Sequence, residues 1–414
     1  MNNRVVVTGM GVISPLGLDV PSTWQALVAG RSGIDYITLF DASDFDVKIA
    51  AEVKGFDPLQ YIDRKQARHT DRFTQFAIAA SLEATESARL KIDSSNGYEI
   101  GVIIGNGMGG LTTLSQQLKV LFNEGPGRVS PFLIPVMIPN MASGQVSIRL
   151  GAKGPNYCVA SACASGAHAI GDAFTLIRQG YAQVMVAGGS EAVITPIAIA
   201  GFSNMRALST RNSDPKKASR PFDAERDGFV VGEGAAVLVL ESLEFALKRG
   251  APILAEVVGY GATADAYHFT EPTESGENIE RAMRLALQQA NLKPEEIDCI
   301  NAHGTSTRLN DATETRAIKS LFGECARKVP ISSNKSMLGH TIGAAGAISV
   351  AVSVLTIRGG VIPPTINLEH PDSECDLDYV PNVARRKKVR TVLSNSFGFG
   401  GHNASLVFSA YDEK

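Results

Sequence analysis

The chain is short of several things. Of its 414 residues only five are cysteine (Cys158, Cys163, Cys299, Cys325 and Cys375), an odd number, widely scattered and with no C-x-x-C pair. That usage fits a reducing cytoplasm and supplies no zinc site. Excess charge is also missing. The 39 Lys and Arg against 42 Asp and Glu leave a net charge of −3, which argues against nucleic acid or a membrane surface as the main partner. No apolar run is expected to reach the ~18 to 20 residues that span a bilayer. The start of the chain imitates a signal peptide for a few residues only, because Gly9, Gly11, Pro15 and Gly17 interrupt it; a first strand is the better reading. What remains is the composition of an ordinary globular protein, rich in glycine for close helix–sheet packing. It is long enough for two domains or one large duplicated one.

Along the chain, strands are predicted over 5–12, 99–104, 182–187 and 234–241, with helices over 22–30, 73–90 and 111–122. Residues 31–62 read as loop with short strands, 123–140 as an irregular Pro- and Gly-rich excursion, and 210–228 as a polar, charged loop. From residue 253 the order of parts starts again: a strand over 253–260, an amphipathic helix over 278–290, a strand over 297–302, then strand, small-residue turn and helix over 332–360. Leu-Ile-Arg178-Gln-Gly180 matches Thr-Ile-Arg358-Gly-Gly360, and His168-Ala-Ile-Gly171 matches His340-Thr-Ile-Gly343. The offsets of these two matches differ by eight residues, so they suggest a duplication without agreeing on it. Repeated β/α units imply an α/β fold of two similar layered halves, 1–251 and 252–414.

Five turns are candidates for chemistry. The stretch Val159-Ala-Ser-Ala-Cys163-Ala-Ser-Gly-Ala-His-Ala-Ile-Gly171 puts one thiol where a short buried strand (156–160) gives way to a helix. A helix N-terminus draws a thiol toward thiolate; a buried structural cysteine fits the same stretch. Gly105-Asn-Gly-Met-Gly-Gly110 satisfies G-x-G-x-x-G after a strand. The second strand with an acidic end that a dinucleotide site needs is missing, so close backbone approach explains the glycines better. Asn301-Ala-His303-Gly-Thr305-Ser-Thr307 and Lys335-Ser-Met-Leu-Gly-His340 each place a histidine at a strand end. Asn395-Ser-Phe-Gly-Phe399-Gly-Gly401 can aim backbone N–H groups at an oxyanion. One thiol and two imidazoles at three strand ends suit acyl transfer through a thioester, followed by decarboxylation of a malonyl thioester. A nearby Lys335 would keep His340 neutral.

These residues resemble the β-ketoacyl-acyl carrier protein synthases of the thiolase-like superfamily, most closely the elongating type II enzymes of bacterial fatty-acid synthesis. The resemblance runs from Val5-Val-Val-Thr-Gly-Met-Gly through Arg220-Pro-Phe-Asp and Asp227-Gly-Phe to the final glycine-rich turn. It implies a five-layer αβαβα fold, a cytoplasmic homodimer, and an acyl carrier protein as partner, with no cofactor or metal. Cys163 would carry the acyl chain, and His303 and His340 would promote decarboxylation. Backbone N–H groups of Cys163 and Phe399 or Gly400 would form the oxyanion hole, with Phe399 the mobile residue of the gating turn. It further implies a buried Lys335–Glu314 ion pair, Thr305 and Thr307 on the phosphopantetheine arm, Met108 and Phe202 on the acyl pocket, and carrier docking at Lys65, Arg68 and Arg206. Three positions depart from the pattern. His402 replaces a small hydroxyl residue, Ser349 stands where many relatives carry a glutamate near a monovalent cation, and Met108 replaces a common isoleucine. A polyketide ketosynthase or a non-catalytic chain-length subunit are the alternatives within the superfamily.

Overall fold

In the computed structural model, which describes residues 3–412, the opening strand β1 (Val5–Ile13) is buried along its whole length. Two of its glycines decide what covers it. A β-carbon on Gly9 would lie 2.3 Å from the Ala84 carbonyl oxygen, and one on Gly11 2.1 Å from that of Ala80. The backbone of helix α1 (Arg72–Ser87), which carries both alanines, therefore rests directly on the strand.

The same joint recurs in the second half. Strand β6 (Ala255–Ala264) has Gly259 and Gly261 against helix α3 (Glu277–Ala290), where β-carbons would lie 2.1 Å from the carbonyl oxygens of Ala286 and Ala282. Helix α3 buries Ile279, Ala282, Met283, Ala286 and Leu287, one helical stripe, and ends at Asn291 in the left-handed conformation.

The first half supplies β1, β2 (Ile100–Gly105), β3 (Asn156–Tyr157), β4 (Val184–Glu191) and β5 (Gly234–Ser242). The second supplies β6, β7 (Cys299–Asn301), β8 (Ile331–Ser332), β9 (Thr391–Gly398) and β10 (His402–Ser409). Across the sheet the order is β8-β7-β9-β10-β6-β1-β5-β4-β2-β3. Numbered within each half, both read 3-2-4-5-1, with the same parallel and antiparallel pairings. The halves join where β1 and β6, equivalent strands, pair antiparallel over Val5–Val7 and Ala255–Val257. Two further helices, α2 (Ser165–Arg178) and α5 (Ala345–Gly359), pack on each other between the halves, while α1 and α3, the latter flanked by α4 (Arg308–Phe322), lie outside. That gives the five layers of the thiolase-like fold.

Several expectations need correcting. The turns before α2 and α5 settle the repeat: Ala162 (φ 49°) and Ile342 (φ 47°) are both left-handed and each precedes a central helix. Their offset of 180 residues is that of Arg178 and Arg358. The His168/His340 match is accidental, since His168 lies inside α2 and His340 lies before the turn to α5. Residues Ile342–Gly359 do reach the length and hydropathy of a membrane span, but 78% of that window is buried inside the fold; a helix sandwiched between two sheets is apolar all round. Of the strand expected over 156–160 only Asn156–Tyr157 forms, exposed at the edge of the sheet. The 123–140 excursion contains a five-residue helix, Leu133–Met137. The charged segment 210–228 turns inward, burying Arg220, Phe222, Asp223 and Arg226.

Because a β-carbon on Gly261 would meet a backbone carbonyl and not a flexible side chain, Gly261→Ala should cost about 1–3 kcal/mol of stability. Urea unfolding would measure it; an unchanged midpoint would mean that α3 can lift off its strand.

Candidate active site

Cys163 sits in the turn Ala162–Ala164 that leads into α2 and is buried. The strained Ala162 is held by Ser165, whose hydroxyl accepts from the Ser161 N–H (2.9 Å) and donates to the Ala162 carbonyl (2.7 Å); a left-handed alanine costs on the order of 1 kcal/mol or more. The end of β9 presses on this turn. A β-carbon on Gly398 would lie 3.1 Å from the Cys163 nitrogen and 2.7 Å from the Ser161 carbonyl oxygen. The close approach brings the Phe399 backbone N–H, with that of Cys163 itself, onto the sulfur. Burial pushes the thiol up to about 12, and Lys335 and the Phe399 N–H only partly offset it. Burial therefore outweighs the expected pull toward thiolate and favours the thiol form.

His303 leaves the end of β7. Its backbone N–H donates to Glu314 Oε1 (2.9 Å), the Gly304 N–H to Oε2 (2.8 Å), and Asn395 Nδ2 to Oε1 (3.2 Å). Glu314, on α4, thus fixes the backbone of the histidine turn. His340 is fixed differently: its N–H donates to the Val230 carbonyl (2.7 Å), and its Nδ1 accepts from the Ile342 N–H (3.3 Å). An accepting Nδ1 leaves the proton on Nε2. The two rings lie edge to face with centroids 5.5 Å apart. Both imidazoles are held well below the usual histidine range, by burial first and then by the Lys335 charge. Lys335 itself falls to about 8 because it is buried, although Glu314 pulls it up. The implied ion pair is not a contact. Among the described residues Lys335 Nζ has no hydrogen-bond partner, and the Glu314 carboxylate is taken up by the His303 turn and Asn395.

Cys163, His303, His340 and Phe399 line one cavity of about 430 Å³, together with Thr305, Thr307, Met108, Phe202 and Arg206. Lys335 and Glu314 lie behind its wall. Lys65 and Arg68, exposed on the short helix Arg64–Arg68, do not border it. The threonine hydroxyls are 3.0 Å apart, with the Thr305 N–H on Asp311 (3.0 Å) and the Thr307 carbonyl on Arg226 Nε (3.1 Å). The inward turn of the charged segment thus serves the site.

Sequence reasoning missed two groups. Residues 265–272 cover the glycine-rich turn, with the Gly400 N–H donating to the Phe269 carbonyl and the Asp265 N–H to that of Gly401 (2.8 and 2.9 Å); no periodicity marks that loop. Glu191 is the other, and it explains G-x-G-x-x-G. The Gly107 N–H donates to Glu191 Oε2 (2.7 Å) and Asn106 Nδ2 to Oε1 (3.1 Å), so the glycine loop cradles a carboxylate of its own chain. Its signal was an acidic residue closing a strand, Gly-Gly-Ser-Glu191.

Comparison with known proteins decides the family. Residues 2–246 match the model for the β-ketoacyl synthase N-terminal domain, and residues 254–369 that for the C-terminal domain. The chain belongs to the β-ketoacyl synthase family. The 3-oxoacyl-(acyl-carrier-protein) synthase 2 of Synechocystis sp. is 55% identical over 408 residues, covering 99% of this chain and 98% of the relative. That of Coxiella burnetii is 53% identical over 406 residues, 98% of each. Among solved structures, the ishigamide ketosynthase/chain length factor superposes with a TM-score of 0.94 at 39% identity, covering all of both chains. A type II PKS acyl-carrier protein in complex with its ketosynthase (AntDE:AntF) gives 0.92 at 34% identity over 99% of this chain and 100% of that one.

Two positions that depart from the β-ketoacyl synthase pattern have visible neighbours. His402 pairs with Gly398 at the hairpin end, and a β-carbon on Gly400 would lie 2.9 Å from its Nε2. Nearby His168 is lowered to about 4, by burial first and then by its electrostatic coupling to His402. Ser349 is buried, its hydroxyl accepting from Asn334 Nδ2 (3.2 Å). Among the described residues no group of three His, Cys, Asp or Glu is arranged to hold a metal.

Two outcomes follow from this geometry. Gly398→Ala intrudes on the Cys163 N–H and should cut acylation by about 10²–10³, the effect of losing one oxyanion donor; stopped-flow acylation would measure it. A lowered pKa leaves an imidazole neutral at every pH above it, so neither His303 nor His340 should titrate between about pH 5.5 and 8. An imidazolium signal from either in ¹⁵N spectra over that range would contradict the site.

Proposed function

We propose that the chain condenses an acyl group carried on Cys163 with malonyl-acyl carrier protein, giving 3-oxoacyl-acyl carrier protein and CO₂ in fatty-acid elongation. The observation that carries the reading is one cavity lined by a thiol, two imidazoles held neutral, and two backbone N–H groups on the sulfur.

In the first step the sulfur attacks the thioester carbonyl of the acyl donor. The oxyanion falls to the N–H groups of Cys163 and Phe399, and the phosphopantetheine thiol leaves with the cysteine's proton. In the second, the bond from the malonyl methylene to its carboxylate breaks and CO₂ departs. The electron pair passes into an enolate, whose oxygen takes hydrogen bonds from neutral imidazole N–H groups. The enolate carbon attacks the acyl-cysteine carbonyl; collapse of the tetrahedral adduct expels the sulfur as thiolate, which takes a proton from solvent water. The Lys335 charge works at a distance: a cation behind both rings disfavours a second positive charge on either. Thr305 and Thr307 bind the pantetheine arm, and Met108 and Phe202 shape the acyl pocket.

Lys65, Arg68 and Arg206 are exposed and suit an acidic carrier protein. A homodimer fits the free edge of the sheet at Asn156–Tyr157, where Phe122, Phe132, Ile134 and Ile148 on neighbouring segments are also exposed. Five free cysteines fit the cytoplasm. Retention of Cys163 disfavours a non-catalytic chain-length subunit. The fatty-acid reading is preferred to polyketide synthesis because identity to the curated synthases exceeds that to the polyketide structures.

Acyl-carrier and malonyl-carrier substrates should yield 3-oxoacyl product and CO₂, with medium-to-long saturated and unsaturated chains accepted; activity confined to acetyl primers would refute that preference. Cys163→Ala should abolish condensation. Charge reversal at Lys65, Arg68 and Arg206 should raise KM for carrier substrates with little change in kcat, and sedimentation should give twice the 43.8 kDa of one chain.

A further inference from the structure

Among the buried titratable groups that the mechanism leaves unused, Glu191 touches two turns of the cavity at once. It ends β4 and is fully buried. Its Oε2 accepts from the Gly107 N–H (2.7 Å) and from the Gly343 N–H (3.0 Å), while Oε1 accepts from Asn106 Nδ2 (3.1 Å). Gly107 precedes Met108, on the cavity wall. Gly343 follows Ile342, whose N–H meets His340 Nδ1. The turns meet at the carboxylate with no room between them: a β-carbon on Gly343 would lie 2.4 Å from the Gly107 nitrogen and 2.7 Å from Glu191 Oε2.

Ile342 is the weak point of this arrangement. It is β-branched and sits at φ 47°, a conformation such a residue leaves unless something holds it. If it relaxed, its N–H would swing away from His340 Nδ1, and the ring could carry its proton on either nitrogen. The residue that holds the next peptide is Glu191.

We propose that Glu191 is a positioning residue for His340: by anchoring the Gly343 N–H it keeps Ile342 left-handed, which fixes His340 as the Nε2–H tautomer that donates to the enolate. The inference deepens the proposed condensation and rests on it.

Glu191→Gln tests it because no amide orientation satisfies the site. With its oxygen at the Oε2 position, the NH₂ confronts Asn106 Nδ2; turned over, it confronts both glycine N–H groups. Asn106 has no freedom to turn in compensation, since its Oδ1 accepts from the Met108 N–H (3.1 Å) and the Gly109 N–H while its Nδ2 donates to the Ser190 carbonyl.

Two readouts are taken on full-length protein. In histidine-labelled ¹⁵N spectra, His340 should be the Nε2–H tautomer in the wild type and a mixture in Glu191→Gln. In single turnover, CO₂ release from malonyl carrier by acyl-loaded enzyme should fall at least tenfold while acylation of Cys163 changes less than threefold. Adding Ile342→Gly, which adopts positive φ without strain, should restore the tautomer. If the glutamine variant does not fold, Glu191→Asp, with its shorter reach, is read in the same way. An unaltered His340 tautomer, or equal losses in both half-reactions, would overturn the inference. A wild type that neither acylates nor releases CO₂ would overturn the proposed function instead, and the tautomer would still decide the role of Glu191.

Discussion

The structure depends on how closely two helix N-termini approach. Where α2 meets α5, a β-carbon on Gly166 would lie 2.9 Å from the Ala347 nitrogen, and one on Gly346 2.7 Å from the Ala167 nitrogen. Gly189 of β4 fills the same seam, with Gly343 O 2.6 Å from where its β-carbon would be. Backbone lies on backbone there. The turn bearing Cys163 and the turn after His340 share one cavity because no side chain separates them. Any larger residue in the seam would part nucleophile from donor before it disturbed either.

Closeness alone does not make the site reactive. Burial raises the cost of every charge, and the residues divide that cost unequally. The cysteine stays a thiol, both histidines stay neutral, and Lys335 stands behind them with no hydrogen-bonded counterion of its own. Charge then develops mainly where N–H groups already point, at the acyl oxyanion and at the enolate. Preorganised donors in a buried site stabilise such charge without reorganising.

Much of this was legible in the sequence, for a physical reason. Strand-to-helix turns punctuated by small residues mark the C-terminal ends of strands, where α/β sites lie; Cys163, His303 and His340 all sit in such turns. What failed were inferences needing a partner distant in sequence. The thiol's environment depends on what buries it, and burial outweighs the pull expected of backbone N–H groups. Glu314 finds backbone N–H groups and not Lys335. The glycines at 105–110 do serve close approach, but what they approach, Glu191, is 84 residues past Gly107 and leaves no signal in the motif itself. The apolar run at 342–359 gives no hint that sheets lie on both sides of it. The repeat was visible, but one of its two registers was chance, and only the shared left-handed residue at 162 and 342 chose between them.

That shared residue has a wider consequence. Equivalent strands β1 and β6 pair antiparallel, and both halves turn into a central helix through the same bend, so the molecule has an approximate internal dyad. Two identical half-length chains paired about such an axis would present the cavity with two cysteine bends or two bends following a histidine, never one of each. Joining the halves in a single polypeptide removes that restriction. Each bend was then free to diverge, one toward nucleophilic attack and the other toward stabilising a carbanion, while the symmetric packing beneath them kept the two a few ångströms apart.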